Sequence, residues 1–231
     1  MKGAIGFAMP LIMVSGMSSL MDPKIAVAAI IVPIVVSNIW QTFRTGWQAA
    51  LEAVRDFWRY MLVVCIAILA AAQLVPIIPT QIFYLVLGIP VVILAAIQLF
   101  GVRFTIAEGQ RGWAEWVAGI ISGTLGGLAG TWGPTTVLYL LAINTPKARQ
   151  IVIQGVIYGL GSVTLFVAHL QSGILNASTA PFSIALLVPA VIGMWLGFQI
   201  NERLDQKRFR QLTLIVLLIA GLNLVRRGLF G

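Results

Sequence analysis

Long apolar runs separated by short polar clusters take up nearly the whole chain. Eight segments can be read, at roughly 3–21, 25–43, 59–76, 81–101, 113–143, 148–170, 181–200 and 209–225. A helix needs about 20 apolar residues to cross the hydrocarbon core of a bilayer, so the pattern predicts an all-α polytopic membrane protein. Pro76 and Pro79 mark a tight turn between the third and fourth segments. Residues 44–58 carry Arg44, Trp47, Glu52, Arg55, Asp56 and Trp58, the mix expected of an interfacial helix with aromatic anchors. The stretch 201–210 reads as a solvated basic loop. No linker or low-complexity tract separates a second domain, so residues 1–231 are expected to form a single transmembrane domain.

Composition supports this reading. Of 231 residues, 59% are hydrophobic and 10% charged, against about 45–50% and about 25% in soluble domains. A soluble domain of this size would expose far more apolar surface than monomers tolerate, and a chain this apolar is not disordered. The net charge of +8 would suggest nucleic acid in a soluble protein. Here the basic residues cluster between apolar runs and read as orientation signals, so no nucleic-acid partner is expected. The single cysteine, Cys65, lies inside an apolar run and reads as a small buried hydrophobe.

The chain repeats itself. Gly3, Gly6 and Pro10 share one spacing with Gly127, Gly130 and Pro134. Asp22-Pro23-Lys24 follows the first copy and Thr145-Pro146-Lys147 the second, each leading into a long apolar helix. Paired Gly/Pro-interrupted segments in corresponding halves point to a transporter binding site. The halves are read as about 1–101 and about 113–231. An apolar approach, 113–126, precedes the second motif, whereas two residues precede Gly3. About twelve residues therefore look absent from the first copy, and the expectation is that the chain starts late. Lys2 and the apolar run after it also fit a signal peptide loosely, but the repeat argues for a retained segment.

Charge decides between two topologies. If all eight segments span, the fifteen Lys and Arg divide eight against seven, which violates the cytoplasmic excess of basic residues. If the two motif segments are re-entrant, Lys2, Lys24, Arg226 and Arg227 face the remaining eleven. Each half then has three crossings in opposite orientation, an inverted repeat with both termini outside.

The apolar segments hold almost no ionisable group. His169 reads as an interfacial histidine beside a polar turn, and Glu115 as a carboxylate able to reach the interface. The available chemistry is glycine backbone and small polar side chains. An unwound Gly-rich stretch between half-helices presents free N–H groups and the positive end of a dipole, which suits a small anion. The candidate binding residues are Gly3, Gly6, Pro10, Gly127, Gly130, Thr131, Trp132, Gly133, Pro134 and Thr135, with Thr136 as a further hydroxyl. Ser37, Asn38 and Gln41 share a helix face, as do Gln154 and Tyr158, and both sets are candidates to line a cavity. Gly119/Gly123, Gly155/Gly159 and Gly193/Gly197 are spaced for close helix packing. Trp40, Trp47, Trp58, Trp113 and Trp116 read as interface anchors. No catalytic residue, metal ligand or cofactor is expected: no Gly-x-Ser-x-Gly elbow is present, and no His/Cys/carboxylate cluster suits a metal.

The twice-repeated Gly-x-x-Gly-x-x-x-Pro followed by Pro-Lys resembles the sulfite exporter TauE/SafE family of membrane proteins. The block from Val188 through Gly193 and Gly197 to Asn201, Glu202, Arg203, Leu204 and Phe209 adds to the likeness. The chain departs from the pattern in its short N-terminus and in Phe7-Ala8-Met9, where the second copy has Thr131-Trp132-Gly133. The resemblance implies export of small anions, such as sulfite or organosulfonates, across the cytoplasmic (inner) membrane. The partners it implies are a small anionic substrate and the lipid bilayer, with a homo-oligomer left open. A non-transporting multi-pass membrane subunit is the alternative, and an intramembrane hydrolase a more distant one.

Overall fold

Each apolar run becomes helix because a backbone in lipid must satisfy its own hydrogen bonds. The computed structural model describes residues 9–43, 46–101, 105–201 and 206–230. Among the described residues, ten α-helices follow one another: α1 (Met9–Met17), α2 (Pro23–Phe43), α3 (Trp47–Leu74), α4 (Thr80–Leu99), α5 (Arg111–Ala129), α6 (Gly133–Ala142), α7 (Lys147–Gln171), α8 (Ala180–Ala185), α9 (Leu187–Asn201) and α10 (Gln206–Phe230). Among the described residues, α2, α3, α4 and the Ala148–Gln171 part of α7 are long and apolar enough to cross a membrane.

Local chemistry sets the boundaries. Asp22 caps α2, its Oδ1 accepting the Lys24 N–H at 2.7 Å, and Pro23 occupies the first turn, where no N–H is needed. Gly130 ends α5 with φ +67°, a left-handed conformation that glycine adopts without penalty. Three boundaries differ from the sequence reading, the first being the run at 181–200, which is split into α8 and α9. The expected interfacial helix at 44–58 continues into the third segment as α3, with a local kink at Phe57 (φ −119°, ψ 20°). The expected loop at 201–210 gives up Gln206–Arg210 to α10, since Lys, Arg and Gln are good helix formers.

Glycines determine which helices touch. A Cβ at Gly119, Gly123 or Gly127 of α5 would lie within 3 Å of Val63, Val64 or Ile68 of α3. The two helices therefore run parallel at near-backbone contact, as small residues permit in membranes. α4 and α10 pack antiparallel through Gly88, Gly221 and Gly228. α2 and α7 pack antiparallel as well. A Cβ on Gly155 would meet the Gln41 carbonyl at 3.1 Å, and Thr42 Oγ1 donates to the Gly155 carbonyl at 2.7 Å. Gly193 in α9 is different, because a Cβ there would meet nothing within 4 Å.

Pro33 inside α2 has no N–H for the Ala29 carbonyl. The Ser183 hydroxyl of α8 supplies the missing donor at 3.1 Å and accepts the Val32 N–H at 3.0 Å. Ser183 is fully buried. Ser183→Ala is expected to cost about 1–3 kcal/mol, because two buried backbone groups lose their partner. A thermal melt in detergent micelles measures it, and an unchanged midpoint would contradict the assignment.

Large apolar side chains on the outer helix faces, Ile66, Ile93, Ile120 and Ile219 among them, are exposed, as lipid-facing residues should be. The ends of the bundle are polar. One end gathers Arg59, Arg111 and Arg149 around a cavity of about 630 Å³. At the other, Lys24 Nζ donates to the Pro76 carbonyl at 2.7 Å, and Arg226 and Arg227 lie beside the start of α4. Trp40, Trp47, Trp58, Trp113 and Trp116 are all exposed, as anchors must be.

Candidate functional site

The second motif breaks one apolar segment into α5 and α6. The Gly130 N–H returns to the Gly126 carbonyl at 2.6 Å. Thr131 closes the end of α5 twice, its N–H and its hydroxyl donating to the Leu125 carbonyl at 3.3 and 2.9 Å. α6 then starts at Gly133 with Pro134 in its first turn, where a missing N–H costs nothing.

The two arms fold back on each other. The Ile106 N–H, just before α5, donates to the Ala142 carbonyl at the end of α6 at 2.9 Å. The Tyr139 hydroxyl donates to Glu115 at 3.2 Å. Deeper in, Ser122 bonds to Thr136 and to the Trp132 carbonyl, each at 3.0 Å. Residue numbers rise along α5 as they fall along α6, which is the register of an antiparallel hairpin.

The break lies at the centre of the molecule. Thr131, Trp132, Gly133, Pro134 and Thr135 are all buried. A Cβ on Gly130 would lie 2.7 Å from Ile34 Cδ1 of α2, 3.5 Å from Leu165 of α7 and 3.6 Å from Pro10 of α1. The proline of the first motif thus meets the central glycine of the second. Gly3 and Gly6 lie outside the described residues. Tyr158 reaches the break from α7, its hydroxyl donating to the Gly133 carbonyl at 3.4 Å, and its ring lies 6.3 Å from that of Trp132.

The remaining candidates are spread more widely. Ser37 and Asn38 are buried one turn beyond Ile34, with the Ser37 hydroxyl donating to the Ile34 carbonyl at 3.0 Å. Gln41 and Gln154 are half-buried at the α2–α7 seam. The three threonines of the motif also separate. Thr131 is occupied in capping α5. Thr136 donates to the Trp132 carbonyl at 2.9 Å and meets Ser122 and Tyr60 at 3.0 Å each. Thr135 Oγ1 is buried and has no hydrogen-bond partner. It sits in the first turn of α6, where backbone N–H groups lack intrahelical acceptors and the helix dipole is positive.

Tyr60 was not marked out by the sequence. It comes from α3, is fully buried, bonds to Thr136 and stacks on Tyr139 with ring centroids 5.0 Å apart. Glu115 lines the cavity at the end of the bundle that carries Arg59, Arg111 and Arg149. It is buried and held by Arg111 Nε at 3.2 Å and by Tyr139, partners that compensate its charge near a helix N-terminus. His169 is likewise fully buried, and the Leu175 N–H donates to its carbonyl at 2.9 Å. Its Nδ1 lies 3.2 Å from Ser172 Oγ. Ser122 is bonded to the Trp132 carbonyl and to Thr136.

A family model described as sulfite exporter TauE/SafE matches residues 1–224. "Probable membrane transporter protein YunE" of Bacillus subtilis (strain 168) is 32% identical over 114 residues, which is 48% of this chain and 40% of that protein's length. The alignment therefore spans less than half of that relative. No solved structure matches. With the family model covering almost the whole length and a broken helix at the core of an apolar helical bundle, the chain belongs to the sulfite exporter TauE/SafE family and is a multi-pass membrane protein.

Proposed function

We propose that this protein exports small anions of the sulfite or organosulfonate type across the cytoplasmic membrane, binding them where α5 and α6 meet. The observation that carries this reading is the buried, unpartnered Thr135 hydroxyl in the first turn of α6. N–H groups, a helix dipole and one unused hydroxyl there can hold a negative charge without a fixed countercharge. Trp132 and Tyr158 wall the site, while Gly130 and Pro10 bring the two motifs together.

In this reading the α5–α6 hairpin is re-entrant, entering and leaving the membrane on the side of Arg59, Arg111 and Arg149. The halves 1–101 and 113–231 are inverted repeats. Support comes from the way helices pair with their counterparts: α2 with α7, and α4 with α10. α1 packs on α10 and α6 on α4, a further matched pair. Such an arrangement puts the basic-rich end in the cytoplasm. A membrane potential negative inside is worth about 2.3 kcal/mol per charge per 100 mV and drives anions outward. Export of an anion then needs no proton-relay carboxylate.

Uptake of labelled sulfite into inside-out vesicles, with a potential positive inside the vesicle, tests the reading. Saturable, potential-dependent flux is expected. Thr135→Val should raise the half-saturating sulfite concentration about tenfold, the loss of one hydrogen bond to a charged group. Because the hydroxyl serves no internal partner, the melting midpoint should not fall. Flux that is silent for sulfite, sulfonates and carboxylates alike would instead favour a non-transporting membrane subunit.

A further inference from the structure

At the end of the molecule away from Arg59, Arg111 and Arg149, a cavity of about 620 Å³ lies between the first turn of α4 and the last turns of α10. Its polar lining is Thr80, Gln81, Tyr84, Arg226 and Arg227, and among the described residues no side-chain carboxylate lines it. Pro79 precedes α4 and no side chain caps it, so the N–H groups of the first turn face outward at the positive end of the helix. The glycine seam fixes this placement: a Cβ at Gly228 would lie 2.9 Å from the Gln81 carbonyl and 2.6 Å from Leu85. The arginines are thereby held beside the start of α4.

Arg227 is itself anchored. Its guanidinium donates to the Ser18 and Ser19 carbonyls at the end of α1 and to the Tyr84 hydroxyl, and lies 5.8 Å from the centre of the Tyr84 ring. Even so, its Nε is buried without a partner, and so is the hydroxyl of the neighbouring Ser18. An open helix N-terminus and two guanidiniums around one cavity make an environment suited to an anion.

We infer that this cavity is a second oxyanion site, taking a sulfate-, sulfonate- or phosphate-type group, with Arg226 and Gln81 as accessible contacts and Arg227 as the fixed cation. The inference does not depend on where the transported ion binds, and it would survive the failure of the export reading. The group can belong to a free ion or to the headgroup of an anionic lipid.

The test uses the full chain in nanodiscs. Potassium sulfate is titrated by calorimetry in discs of phosphatidylcholine alone, and native mass spectrometry follows retained lipid after reconstitution with phosphatidylglycerol. Arg226→Gln should weaken whichever ligand binds by about tenfold. Gln81→Glu should do the same while favouring the α4 terminus, since a carboxylate suits a helix start. Thr135→Val should leave this binding unchanged. Sulfate binding with those sensitivities supports a site for the free ion, and retention of phosphatidylglycerol with those sensitivities supports a headgroup site. If neither ligand responds to Arg226→Gln and Gln81→Glu in well-folded variants, the site does not exist.

Discussion

Replacing Gly130 by leucine should abolish saturable anion flux, the largest functional effect expected of any single change at the break. Two separate costs arise there. The backbone sits at φ +67°, where an L side chain is disfavoured by about 1–2 kcal/mol. Any Cβ would also approach Ile34 Cδ1 to 2.7 Å, and a leucine must fit between α1, α2 and α7. Overpacking of that kind costs about 1–3 kcal/mol. The α3–α5 and α4–α10 seams are made by other glycines, so the variant should still insert and purify. It would do so with the end of α5 and the start of α6 displaced.

Gly130→Ala separates the two costs. Combined with Ile34→Ala it loses the collision but keeps the backbone strain, so partial recovery of flux is expected, short of the wild-type rate. Vesicle flux and a detergent melt, measured side by side, read the outcome. Full flux from Gly130→Leu would remove the break from the transport path.

The chemistry of the break was legible because glycine and proline report backbone conformation directly. Gly130 and Pro134 mark where one helix stops and the next starts, and the structure breaks there. The Glu115–Tyr139 and Ser122–Thr136 pairs give α5 and α6 hairpin register, while their entry and exit on one side of the membrane belongs to the proposed function. Burial was far less legible. Helices in lipid are apolar on every side, so no polar stripe distinguishes the inner face from the outer one. Tyr60 illustrates the loss: its partner Thr136 lies 76 residues away, and nothing in its local sequence sets it apart. The burial of His169 was hidden for the same reason: it lies near the end of an apolar run, where interface and interior look alike until neighbouring helices are placed. Small-residue spacing is similarly ambiguous: Gly119/Gly123 marks a tight seam, while Gly193 packs against nothing within 4 Å.

That contrast leads to the largest expected effect on folding. At Gly123 a Cβ would lie 2.5 Å from the Val64 carbonyl oxygen and 2.6 Å from the Ala67 Cβ. The first neighbour is backbone, so no rotamer change can relieve it. In a bilayer, helices associate largely through close packing, since lipid tails are as apolar as leucine. Forcing α3 away from α5 would therefore also remove the contacts that Gly119 and Gly127 make on either side. Gly123→Ala is expected to destabilise the fold by about 1–3 kcal/mol, and Gly123→Leu to prevent recovery of folded protein. Ala67→Gly should restore part of the loss in Gly123→Ala, because it removes one of the two collisions, but none in Gly123→Leu. Gly193→Ala should be neutral or stabilising by up to about 1 kcal/mol, since alanine favours a helix interior over glycine and nothing stands in its way. Yields after detergent extraction and melting midpoints measure all five variants. If Gly123→Ala and Gly193→Ala behaved alike, the close α3–α5 seam would be wrong, and with it the placement of the hairpin that holds the break at the centre of the molecule.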